Sequence, residues 1–67
     1  MNTFEKEIYN KKKYFIDGLI NVKKLLNDDP NVSNEWKKRE NAILDEQITN
    51  LQNDILNLII KVQLYEH

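Results

Sequence analysis

Sixty-seven residues make at most one domain, and a chain this short keeps so much of its surface in water that a solitary core is marginal. Ten basic and eleven acidic residues leave a formal net charge of −1, which argues against a general polyanion binder. There is no cysteine, so disulfide frameworks and thiolate metal clusters are excluded, and the one histidine is His67.

The stretch MNTFEKEIYN at residues 1–10 carries acids where a secretory leader would have a basic segment followed by an apolar one. The longest apolar run is Leu58-Ile59-Ile60, far short of the roughly 20 residues that cross a bilayer. A cytoplasmic protein with no membrane contact is therefore expected. Ten Asn, eight Ile and nine Lys against one Arg resemble the usage of AT-rich genomes, such as those of low-GC bacteria and their phages.

A first helix is predicted over about residues 3–28. Asn2 and Glu5 stand at capping-box spacing at its start. Its main stripe is Ile8, Phe15, Leu19, Val22 and Leu26, with Lys11 and Lys12 where an apolar residue is missing. A thinner line of Tyr9, Ile16 and Ile20 runs along the adjoining face. Gly18 costs about 1 kcal/mol relative to Ala in a helix interior, and no turn chemistry surrounds it, so a close helix crossing or simple tolerance both fit.

A loop is predicted at 29–33, because residues before Pro30 are pushed out of the α region. Ser33 is the preferred cap of the next helix, with Glu35 at its positive end; Asp29 followed by Pro30 is a competing start.

The second helix is predicted over about residues 34–65. Its seam reads as heptads, with Asn41, Ile48, Ile55 and Val62 at a and Leu44, Leu51, Leu58 and Tyr65 at d. Taken alone, that pattern suits a parallel zipper. A first helix with its own stripe, joined by a short loop, favours an antiparallel hairpin instead. The expected register sets Leu26 near Trp36 and Lys37, Val22 near Asn41, Leu19 near Leu44, Phe15 near Ile48 and Ile8 near Ile55. Phe4 then falls near Leu58 and Ile59, and Val62, Leu64 and Tyr65 overhang the first helix. Trp36 is expected to fold onto Leu25 or Leu26.

The fold class is thus all-α, a two-helix hairpin that pairs into a dimeric four-helix bundle. The faces left wet by the hairpin are expected to form the interface: Tyr9, Ile16 and Ile20 on the first helix, and Leu56, Ile59, Ile60, Leu64 and Tyr65 on the second. A homodimer is the expected assembly, with another protein in place of the second copy as the alternative.

No nucleophile and base can be assembled, since the only Ser is better used as a cap and His67 is terminal. Inward Glu and Glu-x-x-His pairs of the di-metal bundles are absent, as are Gly-rich phosphate loops, so no catalytic residue, metal or cofactor is expected. The clusters Lys11-Lys12-Lys13 and Lys37-Lys38-Arg39 raise nucleic-acid binding. Consecutive helical residues point in different directions, however, and Glu5, Glu7, Asp17, Glu35 and Glu40 lie close by, so a solvated face with ion pairs is favoured.

With YFIDGL at 14–19 and DEQITNLQ at 45–52, the chain resembles the YvfG family of small two-helix proteins of bacilli. That resemblance implies an all-helical fold with dimer-like packing and no established activity. The stretch NAILDEQI at 41–48 is also similar to the two-helix phosphatases that act on aspartyl phosphates of sporulation response regulators, with Leu44 and Asp45 at that family's spacing. Asn41 stands in its serine position and Leu51 in place of its tyrosine, so Asp45 alone carries over.

Overall fold

The computed structural model describes residues 1–65, so His67 lies outside the described residues. Two helices, α1 (Thr3–Asp28) and α2 (Asn34–Tyr65), fold back on each other as an antiparallel hairpin, and among the described residues there is no strand. No helix is long and apolar enough to cross a membrane among the described residues.

Local chemistry fixes the ends of both helices. Asn2 is extended and its Oδ1 accepts from the Glu5 N–H at 2.8 Å, while Glu5 Oε1 accepts from the Asn2 N–H at 3.0 Å. Two of the free amides of the first turn are thereby paired. At the other end Asp29, held extended ahead of Pro30, stops α1. The last turn of α1 has no basic residue of its own, and Lys37 of α2 supplies one by donating to the Asn27 carbonyl at 3.1 Å. Asp29 Oδ1 accepts from the Asn31 N–H, which tightens the loop. Ser33 Oγ then accepts from the Trp36 N–H at 3.2 Å and caps α2.

Three cross-helix pairs define the register. Asn27 and Asn41 exchange two side-chain amide hydrogen bonds, at 3.0 and 2.6 Å. Lys23 meets Asp45 at 2.6 Å, and Lys12 meets Asp54 at 3.0 Å. Asn41 is therefore level with Asn27, not with Val22 as the apolar pattern predicts, a slip of about one helical turn. Leu19 is consequently level with Ile48, and Ile16 with Leu51. By this register α2 ends level with the start of α1, so the predicted overhang does not occur and Val62 is half-buried, while Leu64 and Tyr65 stay exposed as predicted.

The contact seam of α1 is also rotated from the predicted stripe. Ile16 is 8% exposed and Leu44 9%, and they are the two buried hydrophobic side chains among the described residues. Counting heptads from Ile16, α1 places Tyr9, Ile16 and Lys23 at a and Glu5, Lys12, Leu19 and Leu26 at d, all of them half-buried or buried. Phe15 and Val22, predicted in the core, are exposed instead. Polar residues at Lys12 and Lys23 disguise the true seam. Their aliphatic stems cover the seam while the ammonium groups reach Asp54 and Asp45 at its edges.

Candidate interaction surface

A helix packed against one neighbour buries a stripe a little over 100° wide. Apolar residues of α1 cover more than that. Beside the a and d seam, positions c and g carry Phe4, Ile8, Lys11, Phe15, Gly18, Val22 and Leu25, at alternating steps of four and three. Phe4 is 71% exposed, Phe15 61% and Leu25 64%, and Val22 is exposed too. A shallow groove of about 330 Å3, lined by Asn10, Lys11, Tyr14 and Phe15, lies along the same strip.

The eight residues expected at an interface from sequence do not form one surface. Ile16 is buried in the hairpin seam and Tyr9 is half-buried there, so both serve the intrachain contact; assigning them outward is corrected by the rotation of α1. Ile20 falls at position e of α1, and Leu56, Ile59 and Ile60 fall at b, e and f of α2. Ile20, Leu56 and Ile60 are exposed and Ile59 half-buried. By the register Ile20 is level with residues near 47, about 15 Å along the helix from Leu56 to Ile60 at 1.5 Å per residue. Lys13, Gln52 and the Lys23–Asp45 pair occupy the same e side. Leu64 belongs to the opposite broad face, and Tyr65 lines a cleft of about 300 Å3 at the open end of the hairpin with Asn2, Phe4, Glu5, Ile8, Leu58, Lys61 and Val62.

The strip missed by apolar patterning was open to detection. Read on its own, the run 4, 8, 11, 15, 18, 22, 25 is an unbroken second heptad seam interrupted in character only by Lys11 and Gly18. Phe15, Val22 and Leu19 fall close enough on the wheel to be fused into one stripe, which hides the fact that they serve two sides of the helix.

Basic residues are dispersed. Lys12 is engaged by Asp54, Lys13 lies over the Tyr9 ring at 6.0 Å, and Arg39 lies over the Trp36 ring at 5.2 Å. Trp36 stays exposed and Leu25 is exposed too, so Trp36 does not cover Leu25, whereas Leu26, the other residue expected beneath it, is half-buried. Asp45 is exposed on the e side of α2 with Lys23 as its ion-pair partner, and Asn41, one turn before it, is taken up by Asn27. Among the described residues no three His, Asp or Glu side chains converge as a metal site would require.

No protein-family model, curated protein or solved structure matches this chain.

Proposed function

We propose that this chain is a small, non-catalytic interaction or regulatory module that self-associates by helix packing, two hairpins forming a four-helix bundle, in the manner that the resemblance to the YvfG family implies. One observation carries the reading: the hairpin is too open to be a finished fold. It exposes 5480 Å2, whereas a compact monomer of its mass, 8.1 kDa, exposes about 4,500 Å2. Its radius of gyration is 15.5 Å, against about 11 Å for a compact domain of this length. The excess of roughly 1,000 Å2 is comparable to the 800 Å2 or so that each partner contributes to a standard interface. Sedimentation equilibrium at micromolar concentration tests the reading. A dimer is expected, and a folded monomer at that concentration overturns it.

A second reading has Asp45 behind it, an exposed carboxylate within the stretch that is similar to the aspartyl-phosphate phosphatases. Engagement with a phosphorylated regulator requires Asp45 to leave Lys23. Incubation of the protein with phosphorylated response regulators, beside the Asp45→Ala variant, decides it: acceleration of phosphate loss that the variant lacks establishes an enzyme, and unchanged decay removes that reading.

A further inference from the structure

We propose that two copies of the hairpin meet through the c and g strip of α1, antiparallel, on a two-fold axis passing close to Phe15. This rests on the self-association proposed above and assigns to it a face and a direction.

The choice of face follows from comparing the two broad sides of the hairpin. In an antiparallel pair the g positions of both helices lie on one side and the e positions on the other. The e side holds Lys6, Lys13, Ile20 and Asn27 from α1 and Lys38, Asp45, Gln52 and Ile59 from α2, so it is mostly polar. On the g side, α2 is polar along its middle, with Glu40, Gln47, Asp54 and Lys61 at g and Asn50 and Asn57 at c, and its exposed apolar residues there, Trp36, Ile43 and Leu64, stand toward its two ends. On α1 the apolar residues there run from Phe4 to Leu25, broken only by Lys11 and Gly18. Phe4, Phe15, Val22 and Leu25 expose on the order of 400 to 500 Å2 together, near the top of the range of about 300 to 600 Å2 for the largest patch of a typical monomer. Two such strips joined bring together about 800 to 1,000 Å2, close to the roughly 1,000 Å2 that a biological interface needs as a minimum.

Geometry agrees with the area. Seven heptad positions divide the helix circumference into steps of about 51°, and the c and g strip is centred two steps from the a and d seam. A helix with contacts about 100° apart sits at the corner of a four-helix bundle, α2 along one side and the partner's α1 along the next.

Direction follows from Lys11 and Gly18. A parallel pairing sets Lys11 against the partner's Lys11, a repulsion between like charges inside an apolar seam. In the antiparallel pairing about Phe15, Lys11 lies opposite the partner's Gly18, Ile8 opposite the partner's Val22, and Phe4 opposite the partner's Leu25. The long stem of Lys11 crosses the one position with no side chain, and its ammonium reaches water beyond it. Gly18 has nothing of its own chain within 4 Å of where a Cβ would stand, so intrachain packing does not explain its presence in the middle of a helix. A partner's lysine stem does.

The test uses the full chain, which has no native cysteine, so a single introduced cysteine is labelled uniquely. Spin labels at Tyr14→Cys and Asp28→Cys, both exposed and beside the strip, report distances across the dimer by pulsed dipolar spectroscopy. The antiparallel arrangement gives about 10 to 20 Å for position 14 and about 40 Å for position 28, from 1.5 Å of rise per residue on either side of the axis. Short distances at both sites mean a parallel dimer and overturn the direction; a long distance at 14 in a protein that still sediments as a dimer overturns the face. Phe15→Glu is expected to weaken dimerisation at least a hundredfold, because a central anchor is lost twice over, while Leu56→Glu changes it less than about threefold. The reverse ranking places the contact on α2 and overturns the proposal. Should both variants dissociate, the label distances decide. A wild-type monomer in sedimentation equilibrium removes the self-association reading itself, an outcome separate from all of these.

Discussion

Ile16 and Phe15 are neighbours in sequence and apolar to similar degree, yet the fold gives them opposite tasks, and replacing each with Ala separates those tasks. Ile16 is 8% exposed at the middle of the hairpin seam, level with Leu51. Truncating a buried Ile to Ala costs about 2 to 5 kcal/mol, and a single layer between two helices is open to water at both edges, so the lower part of that range applies, about 2 to 3 kcal/mol. Phe15 is 61% exposed. Of the roughly 200 Å2 of a phenylalanine, only about 80 Å2 is therefore covered, part of it by neighbours on its own helix. Ala also improves helix propensity by about 0.5 kcal/mol, which brings the net cost in the isolated hairpin to about 1 kcal/mol or less. Urea unfolding followed by circular dichroism at 222 nm, over a hundredfold range of protein concentration, is the assay. Ile16→Ala should lower the midpoint at every concentration. For Phe15→Ala the loss should grow with concentration, since what it removes is the contact between copies. If Phe15→Ala is as damaging as Ile16→Ala in the most dilute samples, the seam has been placed on the wrong side of α1.

Further expectations concern the residues that set register and shape. A double-mutant cycle on Asn27→Ala and Asn41→Ala should return a coupling of about 0.5 to 1.5 kcal/mol, and additive single losses would show that the reciprocal amide pair does not hold the loop end together. The Lys23–Asp45 pair is largely in water, so its coupling should be about 0.2 to 1 kcal/mol at low salt and fade near 1 M NaCl, where the Debye length is about 3 Å; a salt-independent coupling would contradict that solvent-exposed picture. Gly18→Ala should stabilise the dilute hairpin by about 0.5 to 1 kcal/mol, because the added methyl meets nothing of its own chain; a loss of stability there would require a contact that the fold does not contain.

Helix ends were legible because each is written in a few local residues. Asn2 and Glu5 pair across three positions, Pro30 forbids Asp29 the helical region, and Ser33 reaches the amide of Trp36, all without help from tertiary structure. The seam of α2 was legible for a different reason: Leu44, Ile48, Leu51, Ile55 and Leu58 leave no competing phase. Rotation and register of α1 were not. Its apolar residues span positions c, g, d and a, so a stripe drawn through Phe15 and Val22 is as apolar as one drawn through Tyr9 and Ile16. What breaks the tie is polar and lies on the other helix. Asp54 and Asp45 stand where Lys12 and Lys23 can keep their stems in the seam and their charges at its edge, and Asn41 stands where Asn27 can satisfy it. A pattern search that counts lysine as a defect in a seam rejects the phase that these pairs select.

The asymmetry between the two helices has a consequence for any partner, whether a second copy or another protein. Around α2, the charged and amide residues at g and the asparagines at the central c positions break up its outer apolar surface, which is left to Trp36 and Ile43 near its start and Leu56, Ile60 and Leu64 toward its end, and its main seam is already taken by α1. Around α1, one seam is occupied and a second of similar length exposes Phe4, Phe15, Val22 and Leu25, with Ile8 half-buried among them. The helix with the weaker intrachain stripe, carrying two lysines and a glutamate in its contact with α2, is thus the one with apolar surface to spare. Such a division is costly for a monomer, since moving Phe15 and Val22 to a and d would have given a tighter hairpin with a polar exterior. It is economical for an assembly, because the polar residues in the a and d seam fix register within the chain while the apolar ones at c and g remain available for contact outside it. On this reasoning, exchanging Lys12 and Lys23 for Leu should tighten the hairpin yet loosen its register, and broadened amide resonances along α2 in the doubly substituted protein would be the observable result; sharp resonances and an unchanged Asn27–Asn41 pairing would show that the lysines have no such role.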